Sequence, residues 1–540
     1  MTDAQRDALR EAMRTLLLPI APECEEDALD GAAQELARLG FDAADFADAV
    51  SLEREKWRDT GDVSDDLAGV IASYVAAGDP DLGELLSETY FALYEILRDR
   101  HLLEHDEAAA FLSHARLIAH LAEAEQMSAA QIERVLRARD ARVDFAWRAV
   151  QRILGQMALK PSLDGDRVEE LFERDRELEK SVFADADVET CAEMLGDVAD
   201  RLGFPGDLEE LALTLYPPDG AAFGPYLQIL HFLATIAEFY DHALSILYEF
   251  SPRGQVAGWL FDQYPPALTG AGNPVLNNAK GFDQLTPAWA ASREDRLDQA
   301  RALVALVTGL ESMGFAARQE LAGWLRRWLV RLIRLTEPLT VLLPDRFSTR
   351  QVQRILDSIA AGETNTQGII EQRVVDAITS VLYPEPQWRG RGLKDSVNAS
   401  NVSRRKLGDC DFQDAAGRKA VAWEAHGGGL SEVYVEGHRR TLRRSLELRR
   451  EEFEGIADLS DWDVEVVFVA HDLLAHLPVR YGESGVAVEI RAEEYADLIS
   501  RGPSASKLVD PFAEYVNDVL NAKRTPQYVR ERLLDMAGSP

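Results

Sequence analysis

The hydrophobic pattern of this chain changes near residue 350, and that change limits the folds open to it. Up to that point Ala, Leu, Glu and Arg dominate, and apolar residues recur three and four positions apart, as in amphipathic helices. Beyond it come short apolar runs such as 419–425 and 464–470, which predict buried strands. We therefore expect a large all-helical N-terminal region followed by a C-terminal mixed sheet flanked by helices.

Capping and turn residues predict the order of elements in the C-terminal region. Residues 364–366 look like the cap of a helix that ends before Pro384, because the residue preceding a proline disfavours helical backbone. The elements expected after this helix are strands near 386–394, around Asp411 and over 419–425, a helix over 431–457, strands over 464–470 and 486–490, and a final helix. The predicted order is therefore α-β-β-β-α-β-β-α.

The sequence predicts three domains: an acidic helical domain over 1–205, a helical domain over 206–350, and a strand-containing domain over 351–540. A cluster of Pro, Gly and Asn over 251–289 predicts a break inside the second domain. The polar, helical start predicts no signal peptide, and charged residues interrupt the most apolar stretch, so no membrane segment is expected. The three cysteines lie far apart and form no disulfide pattern, which favours the cytoplasm.

The charge of the chain is strongly negative and unevenly distributed. The formal net charge is −35, which argues against a surface that binds nucleic acid everywhere. Between residues 385 and 450, however, Lys and Arg outnumber Asp and Glu. Any contact with nucleic acid is therefore expected in this window.

The same window contains a hairpin that carries carboxylates. Asp409 and Asp411 precede a predicted turn, Glu424 interrupts the apolar run of the next strand, and Glu371 opens a helix upstream. Carboxylates on adjoining strands are the ligands that Mg²⁺ prefers, and a bound Mg²⁺ assists phosphodiester hydrolysis. Asp409 and Asp411 also suit the flanks of a turn, whereas a carboxylate within a central strand needs a partner or a metal ion.

The order of elements and the placing of the acids resemble the PD-(D/E)XK nuclease superfamily over about residues 362–500. Glu371 resembles the acid of the first core helix, Asp411 the metal-binding aspartate, and Glu424-Ala425-His426 the E-x-K motif. The resemblance implies Glu371, Asp411, Glu424 and His426 as catalytic residues, with Mg²⁺ or Mn²⁺ bound by Asp411, Glu424 and Asp409. The motif of the superfamily has a lysine where this chain has His426. Lys419 or Lys406 would serve in place of that lysine if it has moved in the sequence.

Basic side chains around the hairpin are expected to bind nucleic acid. The candidates on the loops are Arg391, Arg404, Arg405 and Lys406, and those on the following helix are Arg439, Arg440, Arg443 and Arg444. A row of arginines on one helix face suits phosphate contacts. The alternative is a solvated face in which these arginines pair with neighbouring glutamates.

The resemblance implies a Mg²⁺-dependent nuclease that acts on DNA, with RNA as the other substrate to be tested. A role in restriction or phage defence is expected by analogy, and the helical region is expected to recognise a protein partner or the substrate. The alternative is a catalytically inactive, nuclease-like binding subunit, in which the histidine marks a lost active site and the helices act as an interaction scaffold.

Overall fold

The protein is described here by a computed structural model. It describes residues 1–18, 20, 22–78, 91, 93–100, 103–125, 127–139, 147, 150, 151, 154, 163–218, 222–269, 273–279, 282 and 284–538. Parts of the predicted domain 1–205 and of the predicted break at 251–289 therefore lie outside the described residues.

The chain divides into two compact units. The first comprises Met1–Leu163 with Phe239–His242, and the second comprises Asp164–Glu238 with Ala243–Pro540. The predicted boundaries near 205 and 350 differ from this division. They remain predicted boundaries of smaller domains. The second unit combines helices of the N-terminal region with all the strands described, so the sheet and these helices belong to one compact body.

The described residues of the first unit form helices and connecting turns, without a strand. Its helices are Asp3–Arg14, Glu25–Arg38, Phe46–Thr60, Asp65–Gly78, His105–Ser113, Ala115–Glu123 and Ala129–Arg139. The first helix begins where Thr2 and Gln5 cap each other reciprocally, which satisfies two backbone N–H groups that the helix itself cannot. Leu9, Leu29, Trp57 and Ile71 come together in its core, as the apolar spacing predicts.

The second unit begins with a further set of helices. Their bounds are Gly165–Val182, Val188–Leu202, Leu208–Leu215, Gly224–Phe239, Gln255–Asp262, Pro274–Ala279, Pro287–Ala291, Leu297–Ser312, Phe315–Thr336 and Thr349–Ala361. The described residues between 1 and 350 contain no strand, which confirms the predicted helical region. Every helix in the described parts of the chain is too short or too polar to cross a bilayer.

A six-stranded mixed sheet follows the Ile369–Leu382 helix. Its strands are β1 (Arg389–Arg391), β2 (Cys410–Asp414), β3 (Lys419–Ala425), β5 (Asp463–Ala470), β7 (Val479–Glu483) and β8 (Val486–Glu494), in the order β1-β2-β3-β5-β8-β7. The strands β3, β5 and β8 are parallel, and the remaining pairs are antiparallel. Two short strands, β4 (Gly429–Leu430) and β6 (Asp472–Leu473), form a separate parallel pair.

Helices cover both faces of this sheet because its central strands are apolar on both sides. Trp423 of β3 faces the core that contains the Ile369–Leu382 helix. Ala422, its neighbour on the strand, faces the core that contains the helix Glu432–Leu448, which we call the arginine helix. A short helix, Arg450–Glu454, follows it, and the chain ends in helices Tyr495–Arg501, Ala505–Phe512, Asp518–Leu520 and Gln527–Ala537 with a π-helical turn at Ala513–Asn517.

The predicted C-terminal mixed sheet with flanking helices is thus confirmed at the level of element type. β7, the β4–β6 pair and the helices after residue 501 were not predicted. β7 lies at the edge of the sheet, is largely exposed and carries Arg480 and Glu483, so it lacks the apolar pattern that identifies buried strands. The Ile369–Leu382 helix is capped by Gly368, whereas the sequence suggested residues 364–366.

Candidate active site

Two carboxylates face each other across the β2–β3 hairpin. Cys410 pairs with Trp423, so Asp409, one residue before β2, lies opposite Glu424. Oδ2 of Asp409 accepts a hydrogen bond from the backbone N–H of Ala425 at 2.8 Å, and Oε2 of Glu424 accepts one from the N–H of Asp409 at 3.1 Å. Each side chain is therefore bound to the strand of the other, which holds the two carboxyl groups side by side.

The proximity of these carboxyl groups separates their pKa values. Burial and the negative charge of Glu424 raise the pKa of Asp409 well above its ordinary value. Burial would also raise the pKa of Glu424, but His438, Lys406 and Tyr434 lower it below its ordinary value. The arrangement therefore favours a proton on Asp409 and a negative charge on Glu424.

Two side chains of the arginine helix hold the Glu424 carboxylate. The hydroxyl of Tyr434 donates to Oε1 at 3.2 Å, and Nδ1 of His438 lies 3.5 Å from the same oxygen. Nε2 of His438 lies 3.2 Å from the carbonyl oxygen of Leu407, so both ring nitrogens face acceptors. Burial would lower the pKa of His438, but Glu424 raises it above its ordinary value. His438 is thus suited to remain a cation beside Glu424.

Lys406 supplies a second buried cation at this hairpin. Its Nζ lies 3.2 Å from the carbonyl oxygen of Asp409 and 3.2 Å from Oδ2 of Asp395, and its side chain is buried. This placement differs from the expected nucleic-acid contact, because a buried and paired ammonium does not reach a phosphate in solvent. Lys419, the other candidate for the family lysine, pairs with Glu465 at the opposite end of β3.

Asp411 does not take the metal-binding position that was expected of it. The register places it opposite Ala422, not Glu424. Its Oδ1 accepts from Arg449 at 2.7 Å, its Oδ2 accepts from the N–H of Leu407 at 3.0 Å, and both Asp411 and Arg449 are buried. Both oxygens are therefore engaged within the protein, and Asp409 replaces Asp411 as the partner of Glu424.

Glu371 lies in the first turn of its helix, in a separate set of hydrogen bonds. Its carboxylate accepts from the N–H of Thr364 at 3.0 Å, from the Thr364 hydroxyl at 2.9 Å and from the Thr366 hydroxyl at 3.3 Å. His471, directly after β5, lies 3.5 Å away. Burial would raise the pKa of Glu371, but His471 and Thr364 lower it. These contacts anchor the loop before the helix and are distinct from those of the Asp409–Glu424 pair.

His426 follows β3 and lies next to the residues that hold Glu424. Its backbone N–H donates to the carbonyl of Val469 at 2.8 Å, which extends the β3–β5 ladder by one residue. Its half-buried ring lies 4.3 Å from the ring of Tyr434, the residue whose hydroxyl binds Glu424. His426 and Glu424 are therefore linked through one tyrosine.

The predicted basic residues divide into paired and unpaired groups. Arg391 binds Glu452, Arg404 binds Asp395, Arg439 binds Glu436, and Arg443 binds Glu483. Arg405, Arg440 and Arg444 are exposed, and no acidic side chain in the described parts of the chain pairs with them. The solvated-face alternative thus applies to Arg439, whereas Arg443 pairs with Glu483 of β7, and Arg440 and Arg444 remain available for a ligand.

Sequence reasoning missed Tyr434, His438 and Arg449. The first two lie four residues apart, which places them on one helix face, and this spacing was a usable signal. Arg449 had no comparable signal, because it is one of several arginines in the same segment and only its contact with Asp411 distinguishes it.

The Asp409–Glu424 pair has the donor chemistry of a magnesium site. Within the described residues, no three His, Cys, Asp or Glu side chains form a group suited to hold a metal ion. Mg²⁺, however, is commonly bound through one or two carboxylates and retains several water ligands. Burial and the charge of Glu424 both raise the pKa of Asp409, and a bound divalent cation would offset the repulsion between the two carboxylates. The two carboxylates therefore fit Mg²⁺ or Mn²⁺.

No family model and no curated protein matches this chain. Its function must therefore be inferred from the chemistry of the site.

Proposed function

We propose that the C-terminal sheet domain is a Mg²⁺- or Mn²⁺-dependent nuclease of the PD-(D/E)XK type that hydrolyses DNA. The observation that carries this proposal is the pair of carboxylates, Asp409 and Glu424, held face to face across the β2–β3 hairpin. The element order supports it, because the Ile369–Leu382 helix, the strands β1, β2 and β3, the arginine helix and β5 follow each other in the order on which the resemblance rests.

The proposed assignment differs from the sequence-based one at two residues, Asp411 and Glu371. Asp409 takes the role of the metal-binding aspartate, and Glu424 and His426 keep theirs as the E-x-H form of the motif. Asp411 becomes a structural residue, because its carboxylate neutralises the buried Arg449. Glu371 holds the loop before its helix through Thr364 and remains outside the proposed metal pair.

The residues around the pair have separate tasks in this proposal. Asp409 and Glu424 would hold the cation, which supplies an activated water and neutralises charge on the phosphate. His438 keeps Glu424 ionised and oriented, and Lys406 places positive charge beside Asp409. His426, half-buried next to Tyr434, is the side chain proposed to orient the attacking water or take up its proton.

The helices that precede the sheet are proposed to position the loop that leads into Asp409 and to recognise a partner. Asp185 accepts hydrogen bonds from the Ser396 hydroxyl at 2.8 Å and from the N–H of Val397 at 3.0 Å, and Arg404 donates to Thr190 at 2.9 Å. A cytoplasmic role in restriction or phage defence would suit a nuclease built in this way, and it rests on analogy alone.

One observation favours the alternative, a nuclease-like binding subunit without activity. Oε1 of Glu424 already accepts a hydrogen bond from Tyr434 and lies close to His438. A carboxylate satisfied in this way gains less from a cation than a free one does. In the alternative, Asp409 and Glu424 are a buried structural pair and the exposed arginines bind a partner.

The two functions are separated by a cleavage assay. Supercoiled plasmid is incubated with the purified protein and Mg²⁺ or Mn²⁺, with and without EDTA, and single-stranded DNA and RNA are tested in parallel. We expect metal-dependent cleavage by the parent and none by Asp409→Asn or Glu424→Gln. Asp463→Asn is the matched control, because Asp463 is an exposed acid at the far end of the sheet. Undiminished cleavage by Glu424→Gln, or no cleavage by the parent with any substrate, would exclude the nuclease.

A further inference from the structure

One face of the arginine helix is open to solvent along most of its length. Val433, Gly437, Arg440 and Arg444 follow each other at intervals of four, three and four residues, which places them on one side of the helix. All four are exposed, and Val433, an apolar residue, is 84% exposed. We call these four residues the open stripe.

Gly437 in this stripe is not explained by the packing of the fold. Glycine inside a helix lowers stability relative to alanine, because the glycine backbone loses more conformational entropy on folding. A Cβ atom at Gly437 would meet nothing within 4 Å, so no neighbouring group requires the missing side chain. The glycine leaves a gap between Val433 and Arg440 that exposes the helix backbone to an approaching molecule.

The charges of the stripe are also left without internal partners. Arg439 and Arg443, one position before Arg440 and Arg444, are paired with Glu436 and Glu483. Arg440 and Arg444 lack an acidic partner within the described chain, although the protein carries a formal charge of −35. In such an acidic protein, these two exposed arginines remain available to bind an external anion.

The stripe starts at the end of the arginine helix that carries Tyr434, a residue of the candidate active site. Val433 precedes Tyr434, whose hydroxyl donates to Glu424. From there to Arg444 the stripe runs about 16 Å along the helix, at 1.5 Å per residue. Arg440 and Arg444 are one turn apart, which is about 5–6 Å between Cβ atoms, so they can reach neighbouring phosphates of one strand.

We propose that the open stripe is the docking face for the sugar–phosphate backbone of duplex DNA. Arg440 and Arg444 bind adjacent phosphates, and Gly437 lets the backbone lie against the helix between them and the active site. The choice of DNA rests on the proposed nuclease function, whereas the location of the surface rests on the exposed glycine and the unpaired arginines.

The test measures binding separately from cleavage. Anisotropy of a fluorescent DNA duplex is recorded in EDTA over a series of salt concentrations, for the full chain and its variants. Arg440→Ala and Arg444→Ala should each weaken binding on the order of tenfold and reduce the salt slope by about one. Arg350→Ala is the matched control, because Arg350 is also exposed and its substitution removes the same charge outside the stripe.

Gly437→Ala tests the stripe in a variant whose loss of DNA binding could not be caused by damage to the fold. It should raise stability toward urea while weakening DNA binding, because the added methyl group fills the gap. Gly258→Ala is its control: Gly258 is an exposed helix glycine with the same open surroundings, so this variant should gain stability and bind DNA as the parent does.

The outcomes distinguish this proposal from the nuclease proposal. Duplex binding that depends on the stripe, in a protein that cuts nothing, supports the docking face and excludes the nuclease. Cleavage and binding that are unchanged in Arg440→Ala, Arg444→Ala and Gly437→Ala support the nuclease and overturn the docking face. Tighter binding of duplex RNA than of DNA, or no duplex binding at low salt, also overturns it.

Discussion

At the scale of single residues, the paired carboxyl groups of Asp409 and Glu424 make the stability of the protein depend on pH. The raised pKa of Asp409 has two causes, burial and the adjacent charge of Glu424, and both disappear when the chain unfolds. In the unfolded chain Asp409 ionises near pH 3.9, whereas the folded protein retains the proton at higher pH. The folded state therefore binds more protons, and its stability falls as pH rises above the unfolded value.

We accordingly predict that Asp409→Asn stabilises the metal-free protein at pH 8. Asparagine keeps the oxygen that accepts from Ala425 and removes the ionisation, so the urea midpoint should exceed that of the parent at pH 8 and match it near pH 4. Adding Mg²⁺ should raise the urea midpoint of the parent at pH 8 and leave that of Asp409→Asn unchanged. A stabilising effect of Mg²⁺ on both proteins would contradict the metal pair.

The Asp411 side chain is predicted to stabilise the folded protein. Removing its carboxylate in Asp411→Ala leaves the buried Arg449 without its closest acidic partner, and loss of one member of a buried ion pair costs roughly 3–5 kcal/mol. Equilibrium urea unfolding measures this loss, and Asp414→Ala, at the turn end of the same strand, is the comparison. An Asp411→Ala protein that is as stable as the parent but inactive would restore Asp411 as a metal ligand.

His426 is predicted to affect the rate of cleavage and to leave the fold intact, because its ring is half-buried and contacts mainly Tyr434. His426→Ala should slow cleavage by on the order of 10²-fold, the scale of a positioned acid–base group. His426→Lys restores the family motif and should keep or raise the rate. Full activity in His426→Ala would make this residue a bystander and direct attention to Lys406.

At the scale of elements, the Phe315–Thr336 helix depends on arginines buried in the second unit. Arg331 is fully buried, binds Glu179 at 2.8 Å and donates to the carbonyls of Ala184, Ala186 and Arg524. This helix is therefore an element of the packed core. Burial raises the pKa of Glu179 to about 7 despite the opposing effect of Arg331, so burying this pair carries a desolvation cost.

We predict that Arg331→Ala destabilises the protein by roughly 3–5 kcal/mol, because it leaves the buried Glu179 with only the partly exposed Arg334 and removes the arginine donor from the carbonyls of Ala184 and Ala186. Arg327→Ala on the same helix should cost less than about 1 kcal/mol, since Arg327 is only partly buried and stacks on Trp324. Urea unfolding of the two variants is the measurement, and equal losses would contradict the central role of Arg331.

At the scale of the whole molecule, the sheet domain is predicted not to fold without the helices that begin at residue 164. Asp185 and Thr190 bind the loop that leads from β1 to Asp409, and Arg331 ties the segment around residue 185 to Arg524. A chain of residues 164–540 should unfold cooperatively, whereas 351–540 alone should lose the loop contacts and aggregate or unfold. Circular dichroism and thermal unfolding compare the two, and a cooperative transition of 351–540 alone would refute this dependence.

The sequence by itself determined the types of the elements and most of their order. Helix and strand periods are local properties, so the helical region, β3 and β5 could be read directly from the spacing and nature of the apolar residues. The hairpin acids were also visible, because a charged residue inside an apolar strand stands out against its neighbours. Exposed β7 lacked such a pattern, and it was missed for that reason.

Only the tertiary structure decided which acid faces which. If the β2–β3 pairing were shifted by one residue, every residue would face a different partner. The observed register places Asp409, and not Asp411, opposite Glu424. The same holds for the arginines: Arg443 meets Glu483 and Arg331 meets Glu179 across long stretches of chain. Pairing and burial depend on residues distant in sequence, so spacing alone could not separate the unpaired Arg440 and Arg444 from their neighbours.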